Sequence, residues 1–411
     1  MRLLLLTSLL SLALAALASP IAQQQQQPAK ARAAASDKVG YFFVHFHDDY
    51  KSPGDYSTYP AGEQVFGQLS NGNNAISYTA LKGGAPLLTS TVGTKGVRDM
   101  YLVSKPDESQ HYIIATDLNQ TAVGGFGGKF LSRSLVIWDS EGPSLTKWKA
   151  PRLVEVVPPE FRMAWAPEAM WIEERKSFMV YWSSNKYADA SHSGTPDYDK
   201  IYRAYTTDFR SFTQPEVYID LGAGTGVIDL TMHPTGQGNQ YVRFFKDESV
   251  SKCRGQVSNS GIDGQWNDIG SAKEYVDNNN QSEGECGRRL RRRRGVAWRC
   301  VAWRGAVDLA WDTIATDSLT PCLVLAFVLI VFVGLSACLF FKDNLSDKWW
   351  VFLDQYGRNP PGYYPYTADK GITQYGYTDL GFPPGMPKLL KHGAVKPVNQ
   401  AQYDEIKAAW G

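Results

Sequence analysis

Three observations predict an all-β fold, a five-bladed β-propeller. Short apolar and aromatic runs, separated by Gly, Asn, Asp and Pro, fill most of the chain and are typical of strands joined by turns. Aromatic runs begin at Tyr112, Phe178 and Tyr241, which are 66 and 63 residues apart, and this period is typical of propeller blades. Residues 38–411, without an atypical segment at 285–339, leave roughly 320 residues, which suits five blades of four strands.

The start of the chain predicts secretion. Met1-Arg2 precedes an apolar run that ends at a small-residue cleavage motif, so residues 1–18 are typical of a signal peptide. A buried helix is the alternative for this run. Residues 19–37 are rich in Gln and Ala and indicate a solvated linker. The formal net charge is +1, so no basic excess favours nucleic acid as a partner.

The predicted blades follow in chain order. An opening strand at 41–46 serves as the second strand of one unit, and three complete pairs follow it. A fifth unit starts near Ser282, and its partner strand at Trp349 comes only after the atypical segment. Further strands are predicted at 134–138, 200–205 and 362–366, and the one helical pattern is Gln400–Trp410. The three pairs are 99–103 with 112–116, 168–172 with 178–182, and 229–233 with 241–245.

An acidic residue opens four of these units. Asp99, Glu168, Asp229 and Glu283 each stand at the start of a strand-like run. Innermost strands of a propeller meet at the central channel, so acids at their starts are expected to gather around one axis. A carboxylate bonded to a turn is the ordinary alternative for any single Asp. Paired carboxylates are what hydrolysis of a glycosidic bond requires.

The atypical segment, residues 285–339, admits three interpretations. It holds four of the five cysteines, an Arg cluster, and an apolar stretch at 321–341 that is long enough for a membrane span. It is therefore a membrane anchor, an inserted loop, or translated intron sequence. Removal of 285–339 restores the blade spacing between Tyr241 and Trp349, which favours the retained intron, and we expect no membrane insertion.

Five motifs in order resemble those of glycoside hydrolase family 43, in its fungal, arabinosidase-like branch. The similarity runs from about Val39 to Gly284 and resumes near Phe340. The motifs are Gly96-Val-Arg-Asp99-Met-Tyr, Ala164-Trp-Ala-Pro-Glu168-Ala-Met-Trp, Val227-Ile-Asp229-Leu-Thr, Tyr241-Val-Arg-Phe-Phe-Lys-Asp-Glu248 and Ser282-Glu283-Gly284.

The resemblance implies a five-bladed propeller that hydrolyses arabinosyl or xylosyl linkages with inversion. It assigns Asp99 as general base, Asp229 as the residue that orients the acid and tunes its pKa, and Glu283 as general acid. The chain departs from the family where Met100 and Glu285 stand in place of proline. The second departure coincides with the atypical segment and puts the strand of the general acid in doubt.

We therefore expect a secreted, extracellular, monomeric glycosidase acting on arabinan, arabinoxylan or a related oligosaccharide. We expect Arg98 and Trp165 to contact substrate, and Glu168 to have either a subsite role or a structural one. No metal-ligand spacing is present, so we expect no metal and no cofactor. A noncatalytic carbohydrate-binding propeller, and a surface protein anchored through 321–341, remain the alternatives.

Overall fold

The computed structural model describes residues 37–47, 62–271, 274–277 and 337–411. Within these ranges the strands form five four-stranded antiparallel sheets, so the predicted five-bladed β-propeller is confirmed. The signal peptide, the linker and Glu283 were predicted in segments that lie outside the described residues. The same holds for most of the atypical segment, residues 285–336.

Each blade is a meander that runs outward from the central axis. Blade I consists of β20 (Leu390–Asn399), β1 (Lys38–His47), β2 (Phe66–Asn71) and β3 (Asn74–Ala80). Blade II consists of β4 (Val97–Ser104), β5 (His111–Asp117), β6 (Ser134–Asp139) and β7 (Arg152–Glu155). Blade III consists of β8 (Trp165–Ile172), β9 (Ser177–Ser184), β10 (Lys200–Thr206) and β11 (Glu216–Ile219).

The last two blades follow the same order. Blade IV consists of β12 (Val227–Pro234), β13 (Tyr241–Asp247), β14 (Lys252–Ser258) and β15 (Trp266–Asp268). Blade V consists of β16 (Cys338–Lys342), β17 (Trp349–Gln355), β18 (Gly362–Ala368) and β19 (Tyr377–Asp379). The innermost strands β4, β8, β12, β16 and β20 contact one another around the axis.

The ring is closed by strands from opposite ends of the chain. The last strand, β20, pairs with β1 over almost its whole length, from Lys38 opposite Asn399 to His47 opposite Leu390. The opening strand is therefore the second strand of its blade, as the sequence predicts. The terminal helix α2 (Gln400–Trp410) follows β20 directly, and Asn399 caps it by accepting a hydrogen bond from the Gln402 amide. A shorter helix, α1 (Gln120–Val123), lies between β5 and β6.

Apolar side chains fill the spaces between neighbouring blades. Five buried clusters are present in the described residues, one for each pair of adjacent blades. Between blades I and II, for example, Phe42 and Val44 pack with Met100 and Trp138. Met100, which replaces the family's proline, is thus a buried core residue. This packing fixes the innermost strands, and they in turn fix the side chains at the axis.

The first strand of blade V is not near Ser282, where the sequence analysis predicted the start of this unit; it is β16 (Cys338–Lys342). Cys338 and Leu339, which were assigned to the atypical segment, belong to β16, because both are apolar and pack in the buried core. Cys338 forms a disulfide with Cys253 of β14, which joins blades IV and V. The origin of residues 285–336 stays a prediction. Over the ranges given above, no helix combines the length and apolar character that a membrane span needs.

Candidate active site

Three innermost strands carry the same irregularity near their starts. The pairing of β4, β8 and β12 with the next strand shifts register between Arg98 and Tyr101, between Trp165 and Glu168, and between Ile228 and Thr231. Inside each bulge one residue has a positive φ: Asp99 at 50°, Ala166 at 48° and Asp229 at 55°. Non-glycine residues rarely adopt this conformation, and such strain is concentrated at functional sites. The bulges turn these three residues away from the ladder toward the axis.

The sequence analysis placed the acids at equivalent positions of their units, and the bulges show that Glu168 does not share the position of Asp99 and Asp229. Asp99 and Asp229 occupy the same step of their blades, but the residue at that step in blade III is Ala166. Glu168 lies two residues further along its strand, at the step of Thr231. In blade I the corresponding irregularity leaves His392 without a register partner, between Gly393 opposite His45 and Lys391 opposite Phe46. A histidine therefore stands at the step that Asp99 and Asp229 occupy in their blades, in a strand where the sequence analysis predicted no site residue.

Asp99 is held by one contact from its own blade and one from blade I. Its Oδ2 accepts a hydrogen bond of 3.0 Å from the Thr116 hydroxyl, which itself accepts one of 2.8 Å from the Ala166 amide. Its Oδ1 lies 3.6 Å from Nδ1 of His392, an ion-pair contact too long for a hydrogen bond. Burial raises the pKa of Asp99, but interaction with His392 and the charge of Arg98 outweigh this and hold the pKa below its usual value.

Asp229 approaches the same imidazole from blade IV. Its Oδ1 lies 3.8 Å from Nδ1 of His392, and its amide donates a 3.2 Å hydrogen bond to Ser183. Burial raises the pKa of Asp229, and the nearby Asp99 and Glu248 carboxylates raise it further, against the lowering charges of His392 and Lys246. Two carboxyl groups at equivalent positions thus have pKa values shifted in opposite directions.

His392 is the positive centre of this cluster. Its side chain is only 6% exposed, and its Nδ1 has no hydrogen-bond partner among the described residues. Burial lowers the pKa of His392, but the carboxylates of Asp99, Asp229 and Glu168 more than reverse this and raise the pKa to about 9. The imidazolium balances the negative charge that the aspartates place at the axis.

The two aspartates line one cavity of about 250 Å³. Trp165 and Phe126 form an aromatic corner in its wall, with ring centroids 5.8 Å apart and planes at 81°. The side chains of Asp99 and Asp229 keep 19% and 16% exposure there, so water reaches both. Aromatic faces beside accessible carboxyl groups are what a sugar-binding site requires. The other lining residues are Phe46, Arg98, Leu118, Ile228, Glu248, Ala337, Asp354, Lys391 and His392.

Asp354 is a further carboxyl group in this cavity, and the sequence analysis did not identify it. It lies at the end of β17, is 3% exposed, and accepts a hydrogen bond from the Ala337 amide. Burial raises its pKa to about 7, against the lowering charges of Lys391 and His392. Asp354 is therefore about half protonated near neutral pH.

Arg98 lines the cavity but is paired away from Asp99. Its Nη1 lies 2.9 Å from Oε1 of Glu63, and both side chains are buried. The same Glu63 carboxylate accepts the Gln120 amide at 3.0 Å, which ties helix α1 to blade II. The guanidinium lies between the rings of Phe46 and Phe126, 4.4 and 5.2 Å from their centroids. Arg98 thus positions Phe126 and supplies positive charge near Asp99.

Glu168 is not brought to the cavity of the aspartates. It lines a second cavity, of about 190 Å³, with Tyr101, Thr231 and His233. Its Oε2 accepts a 3.0 Å hydrogen bond from the buried Tyr181 hydroxyl. Burial raises the pKa of Glu168 to about 8, so the group is mostly neutral at pH 7. This placement favours the structural role over the subsite role.

The structure thus unites Asp99, Asp229, Arg98 and Trp165 in one cavity, whereas Glu283 lies outside the described residues. His392 was missed because its strand carries no acid; the apolar alternation after Leu389 was the available indication. Phe126 was missed because its glycine-rich loop has no periodicity. In the part of the chain that the structure describes, no group of three or more His, Cys, Asp or Glu is arranged to hold a metal ion.

The chain is similar to known glycoside hydrolases. The family model described as a probable glycosyl hydrolase domain, related to glycoside hydrolase family 43, matches residues 37–309. A curated alpha-L-arabinofuranosidase of Bifidobacterium longum subsp. longum is 26% identical over 224 residues, which are 51% of this chain. The match covers 20% of that relative, so the chain spans about a fifth of its length.

Similar solved structures have low sequence identity. One is a thermostable family-43 glycoside hydrolase, 13% identical, with 72% of this chain and 76% of that chain covered at a TM-score of 0.40. Another is the alpha-L-arabinofuranosidase from Podospora anserina in complex with cellotriose, 12% identical, with 74% of each chain covered at a TM-score of 0.41. Structural similarity at these TM-scores carries no argument about the fold beyond the strand order given above.

Proposed function

The chain belongs to the probable glycosyl hydrolase family related to glycoside hydrolase family 43, and on this premise we propose that it is a secreted, inverting glycosidase. Its proposed substrates are arabinosyl or xylosyl linkages in plant cell-wall polysaccharide. The observation that carries this proposal is the pair of aspartates in one aromatic cavity, whose pKa values are shifted in opposite directions. Environments that separate the pKa values of neighbouring carboxyl groups are how acid and base roles are assigned at one site.

In this mechanism Asp99 is the general base. Its lowered pKa keeps the carboxylate ionised, and its exposure to the cavity allows it to accept a proton from water as that water attacks the sugar. The Thr116 hydroxyl fixes one carboxylate oxygen, which leaves Oδ1 on the side of His392 and the cavity. His392 stabilises the ionised base without donating a hydrogen bond to it.

Asp229 orients and tunes the acid, and Glu283 is the proposed acid. Inversion requires a second carboxyl group on the opposite face of the sugar, with room for water between the two groups. A carboxylate such as Asp229 raises the pKa of a neighbouring acid and keeps it protonated. The support for Glu283 is the Ser282-Glu283-Gly284 motif.

The test is hydrolysis of aryl α-L-arabinofuranoside and aryl β-D-xyloside by the protein made from the mature message, followed by proton NMR of the first product. Release of the sugar with inverted anomeric configuration is expected. Retention of configuration refutes the base role of Asp99. If neither pentoside is cleaved but arabinan still binds, the protein is the noncatalytic carbohydrate-binding propeller instead.

Secretion and oligomeric state have separate tests. The signal-peptide motif supports export, so the mature protein is expected in the culture medium. Recovery in the membrane fraction instead indicates the anchored alternative. A monomer is expected, and size-exclusion chromatography with light scattering measures its mass.

A further inference from the structure

A large aromatic side chain near the active-site cavity is unusually exposed. Phe130 has 69% of its surface accessible, yet one face of its ring is fully supported. The ring stacks on His192 at a centroid distance of 4.4 Å and an angle of 8°. His192 stacks in turn on the buried Tyr187 at 4.5 Å and 14°. Three flat rings therefore form one stack whose outer face is open to solvent.

The middle ring of the stack is held at both ends. Nδ1 of His192 lies 2.8 Å from the Lys129 carbonyl oxygen, and Nε2 lies 2.8 Å from the Pro159 carbonyl oxygen. The two carbonyl oxygens therefore hold the imidazole from opposite edges of the ring. The His192 backbone has a φ of 52°, a strained conformation for a side-chain-bearing residue. The ring position is thus over-determined by its surroundings.

The same loop carries the aromatic wall of the cavity. Phe126 and Phe130 lie in the same loop, residues 124–130. Phe126 lines the cavity and faces Trp165, whereas Phe130 is not among the lining residues. Arg162 donates to the Gly128 carbonyl at 2.8 Å and also to the Phe126 carbonyl, so one side chain fixes both halves of the loop. Three residues lie between the two phenylalanines, and their Cα atoms are at most about 14 Å apart.

We propose that Phe130, supported by His192 and Tyr187, is a remote subsite for a sugar ring of a polymeric substrate whose reacting unit occupies the cavity beside Phe126. This rests on the proposed function and deepens it, because it assigns the enzyme to polysaccharide chains rather than to free short glycosides. A single exposed apolar residue needs no explanation by itself. A flat ring that is pre-positioned, in the same loop as the cavity residue Phe126, does have a consequence for binding.

Sugar rings are the occupant that this geometry suits. A furanose or pyranose presents a flat apolar face of C–H groups with hydroxyls at its edge, so it stacks on one open aromatic face while its polar groups stay in water. A protein partner requires a much larger continuous surface. Because the stack holds Phe130 in place beforehand, little conformational entropy is lost when the sugar binds.

The experiment compares one polymeric and one short substrate. In the full chain, Phe130→Ala is expected to raise KM for arabinan or arabinoxylan roughly 2- to 10-fold with kcat unchanged. KM for an aryl pentoside, which ends within the cavity, is expected to stay the same. Phe130→Trp retains a flat ring and is expected to restore the polymer KM. Leu345→Ala removes a side chain with comparable exposure, 73%, from the loop between β16 and β17 and is the matched control.

His192 is tested as a positioning residue. His192→Gln is expected to raise KM for the polymer less than Phe130→Ala does, and to add nothing when combined with Phe130→Ala. An additive effect in the double variant indicates a merely structural role for His192 and removes it from the proposal.

The outcomes separate this inference from the proposed function. If the parent cleaves both substrates and Phe130→Ala leaves the polymer KM unchanged, the remote subsite is refuted while the glycosidase assignment stands. If the parent cleaves neither substrate, the proposed function fails. The remote subsite is then tested by affinity electrophoresis in gels that contain arabinan. Weaker retardation of Phe130→Ala then supports it, and equal or absent retardation of parent and variant overturns it.

Discussion

Nδ1 of His392 lies 3.6 Å from Oδ1 of Asp99, although β20 and β4 bring these residues from distant parts of the chain. The distance allows charge attraction but no hydrogen bond. Each group stabilises the charged form of the other: the pKa of Asp99 is lowered and that of His392 is raised to about 9. The base is therefore kept ionised by a residue that leaves its lone pairs available to water.

Asp99→Asn is predicted to reduce hydrolysis of an aryl pentoside by about 10²- to 10⁴-fold, because the amide cannot accept the proton of the attacking water. The fold is expected to survive, which circular dichroism and thermal unfolding check. Asp347→Asn changes a carboxylate that is 82% exposed and serves as the control. Near-full turnover by Asp99→Asn contradicts the base assignment.

His392→Gln is predicted to move the acidic limb of the pH–activity profile to higher pH. Loss of the imidazolium removes the principal interaction that lowers the pKa of Asp99, while burial, which raises that pKa, remains. The base is then ionised only at higher pH. The measurement is kcat/KM against pH for parent and variant, and an unshifted limb indicates that His392 does not control Asp99.

Stability is predicted to fall as pH rises from 6.5 to about 9. The pKa of His392 in the folded protein, about 9, lies above its ordinary value of 6.5, so its stabilising contribution is complete below pH 6.5 and lost as pH rises through about 9. Glu168, with its pKa raised to about 8, acts in the same direction, because the folded protein keeps a proton that the unfolded chain releases.

Urea unfolding across this pH range measures the effect. His392→Gln is expected to flatten the decline. His233→Gln is the matched control, since His233 is also at the axis but burial lowers its pKa to about 4, so it does not titrate in this window. If stability declines equally steeply with pH in the two variants, His392 is not the source of the decline.

Glu168 is predicted to fill its structural role as the neutral, protonated carboxylic acid. Glu168→Gln is expected to leave KM and stability near pH 7 almost unchanged, because the carboxyl group is mostly protonated there. Glu168→Ala leaves the buried Tyr181 hydroxyl without its acceptor and is expected to cost at least about 1–3 kcal/mol. A raised KM in Glu168→Gln, measured on an aryl pentoside, shows instead that the group contacts substrate.

Glu63→Gln is predicted to destabilise the protein by about 3–5 kcal/mol, because it removes the buried carboxylate charge that lies 2.9 Å from the Arg98 guanidinium. The exposed pair of Arg133 and Glu155 has the same N–O distance, 2.9 Å, so Glu155→Gln is the matched control. Its expected cost is below about 1 kcal/mol. Urea unfolding measures the loss of stability in both variants. Similar losses show that burial does not strengthen the contribution of the Arg98–Glu63 pair.

The mature message is predicted to lack most codons of residues 285–339, because blade spacing and composition change there. Complementary DNA sequenced across Glu283 to Lys342 tests this directly. Loss of Cys338 also removes the partner of Cys253, so the secreted protein is expected to carry Cys253 as a free thiol by mass spectrometry. Recovery of the Cys253–Cys338 bridge shows that the segment's end is retained.

Local patterns were enough to predict the blades and two of the site residues. Strand alternation and the repeat period are properties of neighbouring residues, and Asp99 and Asp229 lie at strand starts that these patterns mark. The position of Glu168 was wrong by two residues because the bulge at Ala166 depends on pairing with β9. His392, Asp354 and Phe126 depend on which strands and loops meet at the axis, and this is set by closure of the ring.

Because β20 closes the ring and carries His392, the complete site forms only when the chain is synthesised through its last strand. A truncated product that stops before Leu390 contains Asp99 and Asp229 but lacks the imidazolium between them, so two carboxylates face each other uncompensated. The same product leaves β1 with an unpaired edge, which favours aggregation and removal by proteases. Loss of this one strand therefore removes a residue of the site and exposes a strand edge, so an incomplete copy lacks the complete site and is also open to proteolysis.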